Sequence, residues 1–237
     1  MRPPYGTLLT VLIAILCTGP SAAAPAQPVP EPPAPSDNAA VWYLTAQYLL
    51  GRSDEQPIGT LTGNDAFASD DASKRQALEA LEGTLAYIRR AGSLEDCDWA
   101  VDLKRDGPNA ILPHLQIVRE QADLLIKIAW FLAEEQGGLD QAIADTVTTM
   151  RMSRHAANDG TLVGCLVQYR IDDAALGMLS NHLHLLDRNQ LSQLRGQLGA
   201  LPPRRTVRGA IASERLIAGL VAAHQRRDGA DPTRRVA

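Results

Sequence analysis

Residues 113–156 read PHLQIVREQADLLIKIAWFLAEEQGGLDQAIADTVTTMRMSRHA, and this stretch decides the fold. Leu115, Val118, Ala122, Leu125, Ala129 and Leu132 recur at helical steps, which places them on one side of a helix. Proline at position 113 suits the first helical turn, where its missing N–H would have no partner anyway. The Gly137-Gly138 pair stops that helix after Glu135, and Leu139 opens another that reaches about Ala157. Helices joined by so short a turn lie antiparallel, so the chain is read as a set of helical hairpins.

The same periodicity continues on both sides. A helix over 38–50 is expected, capped by Ser36, Asp37 or Asn38, with Val41, Leu44, Tyr48 and Leu49 as its apolar stripe and Gly51 at its end. Residues 52–69 are polar and rich in turn formers and read as a long connection. Leu78, Leu81, Leu85 and Ile88 mark a helix over 71–91, with Gly92 just beyond it. An irregular stretch follows, from Ser93 to Pro113, with Cys97, Trp99 and a Gly107-Pro108 break. After Gly160 a helix runs to about Leu186, with Leu162, Cys165, Leu166, Tyr169, Ala174 and Leu176 expected to face inward. Asp187 caps a short sixth helix bearing Leu191, Leu194, Leu198 and Leu201, which Pro202-Pro203 terminate, and Thr206 to Arg226 make the seventh. About seven helices and no convincing strand define an all-α chain, an irregular helical array or bundle. Aromatics at 4% of the chain suit helix packing better than a sheet, and disfavour a base-stacking or carbohydrate-binding surface.

The first residues carry an address. Arg2 precedes an apolar run from Leu8 to Cys17, and small residues end at Ala22-Ala23-Ala24, the order of an export signal. Residues 1–24 are therefore expected to be a cleaved signal peptide, with a retained anchor as the alternative. The apolar run is shorter than the ~20 residues of a membrane-spanning helix. No later stretch does better, so no transmembrane segment is expected in the mature chain. Residues 25–36, dense in proline, read as an extended spacer; 37–227 as the helical domain; 228–237 as a flexible basic tail. The destination is periplasmic or extracellular.

Charge is divided unevenly. Setting aside Arg2 leaves 22 of the 23 basic residues against 27 acids, a net of −5. From Pro202 onward eight arginines face three acids, so residues 25–201 carry about −10 and the end about +5. Arg204, Arg205, Arg208 and Arg215 are spaced to gather on one side of the last helix. They are the candidate binding set, for an anionic lipid surface or an acidic envelope protein; nucleic acid is not expected.

The turn Gly137-Gly138-Leu139-Asp140-Gln141-Ala142, following Ile126 and Trp130, resembles the helix-turn-helix unit of tetratricopeptide repeats. The likeness covers about one repeat and implies close packing across a small residue after the turn. A broader pattern joins Cys97-Asp98-Trp99, Gly107-Pro108, Leu112-Pro113-His114-Leu115, Gly138 to Ala142, and Arg154-His155. That order resembles uncharacterised exported bacterial all-helical proteins over roughly residues 38–201. It implies location and fold, and no activity.

Candidate chemistry is sparse. His114 stands beside the acidic segment 95–106, where Asp98 or Asp102 could orient its ring as a general base. His155 is expected to sit, charged, at the negative end of the helix closing near Ala157. His182 and His184 are two apart and diverge on a helix, so no metal and no cofactor is assigned. Counted from Asp96, the acidic segment lacks the glycine and glutamate of a calcium loop. Cys97 and Cys165 could be bridged in an oxidising compartment or remain buried thiols. The first functional reading is an exported, non-catalytic helical scaffold or adaptor of the bacterial envelope. The alternative is a hydrolytic or metal-assisted envelope enzyme with its site near His114 and residues 95–106. Self-association through leucines of the sixth helix is a third expectation.

Overall fold

The computed structural model describes residues 37–53, 55–62, 70–107 and 110–229. The residues read above as signal and spacer (1–36), residues 63–69 of the segment read as a connection, and residues 230–237 of the segment read as a tail lie outside the described residues. In chain order the helices are α1 (Ala39–Leu50), α2 (Glu55–Thr62), α3 (Asp71–Ser93), the single turn α4 (Leu103–Asp106), α5 (Pro113–Glu134), α6 (Leu139–Ala156), α7 (Leu162–His182), α8 (Arg188–Gly199) and α9 (Val207–Gly229). Short 3-10 turns at Ala157–Asp159 and Leu183–Leu185 prolong α6 and α7. No strand occurs among the described residues, and the chain is all-α as expected. None of the described helices is long and apolar enough to cross a membrane.

Side-chain oxygens start the helices. Asn38 accepts from the Ala40 N–H, Asp70 from Ser73 and Thr161 from Gly164, each supplying a partner to an otherwise orphaned first-turn donor. Asp187 and Gln190 form a reciprocal capping box at α8.

The helices stack in layers. α1 packs on α3, α3 on α6, α5 on α6, and α7 on both α5 and α6; α8 rests on α6, and α9 on α7 and α4. The α5–α6 turn is tight because Gly137 takes φ +81° and a Cβ on Gly138 would overlap the Leu132 carbonyl. One apolar cluster gathers Tyr43, Leu81, Leu85, Ile88, Leu125, Ile128 and Met152; a second gathers Ala129, Ala142, Met150, Met178 and Leu194. Burying each of these large side chains contributes about 1.5–3 kcal/mol before entropy is counted.

Several expectations are corrected. On α1 the inward face is Ala39, Ala40, Tyr43 and Ala46, while Leu44 and Tyr48 are 51% and 52% exposed. Small residues let α1 approach closely; Tyr43 is its one large fully buried side chain, with Trp42 and Leu50 partly buried against the same cluster. Residues 55–62 are helical, with Leu61 buried and Lys127 Nζ bonding the Thr62 carbonyl at 2.7 Å. Gly92 lies within α3, where a Cβ would strike Thr148 of α6. The last helix continues to Gly229, into the segment read as tail.

The largest correction is α7. Its buried face carries Cys165, Gln168, Ile171, Asp172, Ala175 and Met178, whereas Leu166, Tyr169 and Leu176 point outward. Gln168 and Asp172 are tolerated inside because each is fully engaged by hydrogen bonds (below). On α8 only Leu194 is buried, Leu198 and Leu201 are partly covered, and Leu191 is exposed.

Candidate functional site

Residues 94–102 cross the end of the stack without forming a helix, and backbone bonds pin them in place. The Ala39 N–H donates to the Asp96 carbonyl at 2.8 Å, and Asn38 exchanges two bonds with the Asp98 backbone, both 2.9 Å. Asn158 Nδ2 holds the Cys97 carbonyl at 3.1 Å. Trp99 is thereby driven inward: its Nε1 donates to the His155 carbonyl at 3.0 Å, and its ring stacks on Tyr43 and His114 at centroid distances of 5.6 and 5.0 Å. The chain leaves Trp99 through Ala100, which takes φ +53°, a left-handed conformation that costs an alanine ~1 kcal/mol. Asp98 Oδ1 stabilises that turn by accepting from the Ala100 N–H at 2.8 Å.

His114 lies beneath this indole, and its carboxylate partner is neither Asp98 nor Asp102. Its Nε2 is 3.2 Å from Asp159 Oδ2, and both side chains are almost wholly covered. Asp159 Oδ1 accepts from the backbone N–H and the hydroxyl of Thr161, at 2.9 and 3.0 Å. Neither ring nitrogen of His114 has exposed surface or an aligned hydrogen bond. Asp98 and Asp102 instead line an open cleft of about 540 Å³ with Val101, Leu103, Asp159 and Ile217. Asp159 is therefore the residue that links the cleft to the imidazole. Its signal in the sequence was the Asn158-Asp159-Gly160-Thr161 turn, a capping pattern rather than a catalytic one.

His155 is buried and neutral, which corrects the expectation of a cation at a helix end. Its Nδ1 pairs with the Tyr43 hydroxyl at 2.9 Å. Burial lowers its pKa to about 4, the backbone of Leu94 and Glu95 opposing and the nearby Arg151 reinforcing the shift. The Tyr43 hydroxyl is pushed well above its ordinary value, chiefly by burial. His182 Nδ1 donates to the Met178 carbonyl (2.9 Å) and its ring stands edge-on to Trp130, while His184 is exposed on the next turn. Among the described residues no three His, Cys, Asp or Glu side chains come together as metal ligands.

Cys97 and Cys165 are separate buried thiols, not a bridge. Burial, with the Asp98 charge, pushes Cys97 up to about 12. Burial also raises Cys165, whose Sγ sits 3.6 Å from the Arg205 carbonyl; the Arg205 charge draws it back. Neither is poised as a thiolate nucleophile.

The four arginines do not share one free face. Asp172, 2% exposed, is gripped from both sides: by Arg154 Nη1 at 2.9 and 2.8 Å and by Arg204 Nε at 2.9 Å, with the Ser153 hydroxyl adding a bond at 2.7 Å. Arg154 Nε also reaches the Pro202 carbonyl at 3.1 Å. Gln168 exchanges two 3.1 Å bonds with the backbone of Arg205. Arg204 and Arg205 precede α9, and these bonds fasten their segment along α7. Glu214 of α9 then caps the Leu162 N–H at 2.7 Å. What remains outward on α9 is Arg208 and Arg215, two turns apart, with Ile211 and the 67% exposed Leu216. Sequence spacing alone could not show that Arg204, itself still exposed, would be tied to Asp172, because that partner lies on another helix.

No protein-family model matches the chain, and neither does any curated protein or solved structure.

Proposed function

We propose that the protein is an exported, non-catalytic helical scaffold of the bacterial envelope, seated on an anionic lipid surface by the outer side of α9. The observation that carries this reading is the division of labour in the C-terminal arm. Asp172, Gln168 and Glu214 hold the arm to α7, while Arg208, Arg215, Ile211 and Leu216 stay exposed on α9. Arginines beside exposed aliphatics suit a headgroup boundary, each cation contributing about 1 kcal/mol near an anionic surface. The acidic remainder of the chain is repelled by such a surface, so the basic end leads. The export pattern of residues 1–24 and the resemblance to exported all-helical proteins support the location.

Co-sedimentation with phosphatidylglycerol vesicles at graded salt tests it. Binding at low salt, weakened by salt and abolished in Arg208→Glu/Arg215→Glu, is expected. No binding at low salt, or binding indifferent to that double change, would end the lipid reading; capture of an acidic envelope protein in its place would favour the adaptor form.

One observation favours a second reading, a hydrolytic or metal-assisted enzyme: His114 meets Asp159 at 3.2 Å beside a cleft that also bears Asp98 and Asp102. The complete covering of both ring nitrogens weighs against it, since a general base must reach the proton it removes. Turnover of ester, peptide or phosphoester substrates that is lost in His114→Ala, or stoichiometric bound zinc, would replace the scaffold reading.

A further inference from the structure

We infer that the outward side of α7 is a seat for a second copy of this chain, paired antiparallel about a twofold axis near Ile171. The inner side of α7 lies on α5 and α6, and the arm from Arg204 to Glu214 reaches it at Leu162, Cys165, Gln168 and Asp172. Its outer side carries Leu166, Tyr169 and Leu176 at 55%, 38% and 44% exposure. In a stack of helices an apolar outer side belongs to a layer that another layer follows, whereas terminal layers are ordinarily polar.

The charges on this side name the occupant. Arg170 and Asp173 are exposed between Leu166 and Leu176, and neither enters an ion pair among the described residues. Leu166 stands five residues before Ile171 and Leu176 five after it, so in an antiparallel pair each meets the other across the axis. Arg170 then comes within one residue's rise, ~1.5 Å along the helix, of the partner's Asp173. A face that places a cation just before the axis and an anion just after it is complementary to itself. It is not complementary to a surface of one charge sign. The seat uses α7, whereas the lipid contact proposed above uses α9, so either can fail without the other.

Sedimentation velocity on the purified full chain, over about 1–100 µM, is the test. A reversible dimer is expected, and Arg170→Asp should raise its dissociation constant at least tenfold, because like charges then face each other. Arg170→Asp/Asp173→Arg restores opposite charges and should recover the dimer. A mixture of Leu166→Cys and Leu176→Cys proteins should cross-link between copies more readily than either variant alone. All these positions are exposed, so the fold is retained, which far-ultraviolet circular dichroism would verify. A monomer throughout that range, a dimer indifferent to Arg170→Asp, or cross-linking dominated by same-position pairs would overturn the inference.

Discussion

The body formed by α3, α5 and α6 and the arm that follows α7 are held by different physics. In the body, leucine and isoleucine stripes on α3 and α5 interlock around Tyr43 and Met152, and the main inward ion pair, Arg89 to Asp145 at 2.8 Å, keeps its arginine partly in water. The arm is fastened through polar groups: a buried carboxylate between two guanidiniums, a glutamine bonded to the backbone, and a glutamate capping a neighbouring helix. Apolar burial tolerates substitution in proportion to volume removed, but a buried charge tolerates almost none once its partner is gone. The arm should therefore fail abruptly at single polar residues.

The largest expected effect follows from this. Asp172→Ala leaves Arg154 covered without its counter-charge and should cost ~3–5 kcal/mol in urea unfolding. Leu125→Ala in the body should cost ~2–5 kcal/mol and leave the arm attached. If Asp172→Ala were as mild as a surface change, the contrast between the two regions would be broken.

Next in size is a pH effect at the end of α6, where His155 meets Tyr43 of α1. Unfolded, His155 takes a proton below its ordinary value of 6.5, whereas folded it stays neutral down to about 4. The folded state binds fewer protons in that window, so stability is full above pH 6.5, falls as pH drops towards 4, and is flat in this term below it. The loss amounts to about 3 kcal/mol. It should be read as the difference between the wild type and His155→Gln, whose amide oxygen can still accept from Tyr43. Parallel pH profiles for the two proteins would contradict a buried neutral imidazole.

The smallest effect is the sharpest on side-chain direction. Leu166→Gln should change monomer stability by less than ~0.5 kcal/mol, because that leucine faces out. A cost of several kcal/mol would return α7 to the orientation that its leucines suggest.

The contrast also explains how much was legible in the sequence. α6 was legible from the Gly137-Gly138 turn at its start, since its buried side includes Asp145, Thr146, Thr149, Ser153, Arg154 and His155. α3 and α5 were readable almost to the residue, because their burial is mostly apolar and repeats with the helical period. On α7 the same rule chose the opposite side: its leucines are exposed, and the residues that face inward include Gln168 and Asp172, whose partners are set by tertiary contact. α1 misled for a related reason, since it packs through alanines that carry little hydrophobic signal. α2 was hidden by its length of eight residues with a proline and a glycine inside it. At the cleft, His114 stacks on Trp99 of the acidic segment, but the carboxylate at the ring comes from a turn 45 positions further along the chain. Spacing along one segment cannot reveal such a partner.

Amide hydrogen exchange on Arg204→Ala/Glu214→Ala tests the central claim most directly, because the pair removes two polar links of the arm while Arg154 keeps its bond to Asp172. The expected result is accelerated exchange confined to residues 203–229 and the Leu162 amide that Glu214 bonds, with α3, α5 and α6 protected as in the wild type. Unchanged protection of α9, or an equal loss across the body, would contradict an arm held to α7 by these contacts.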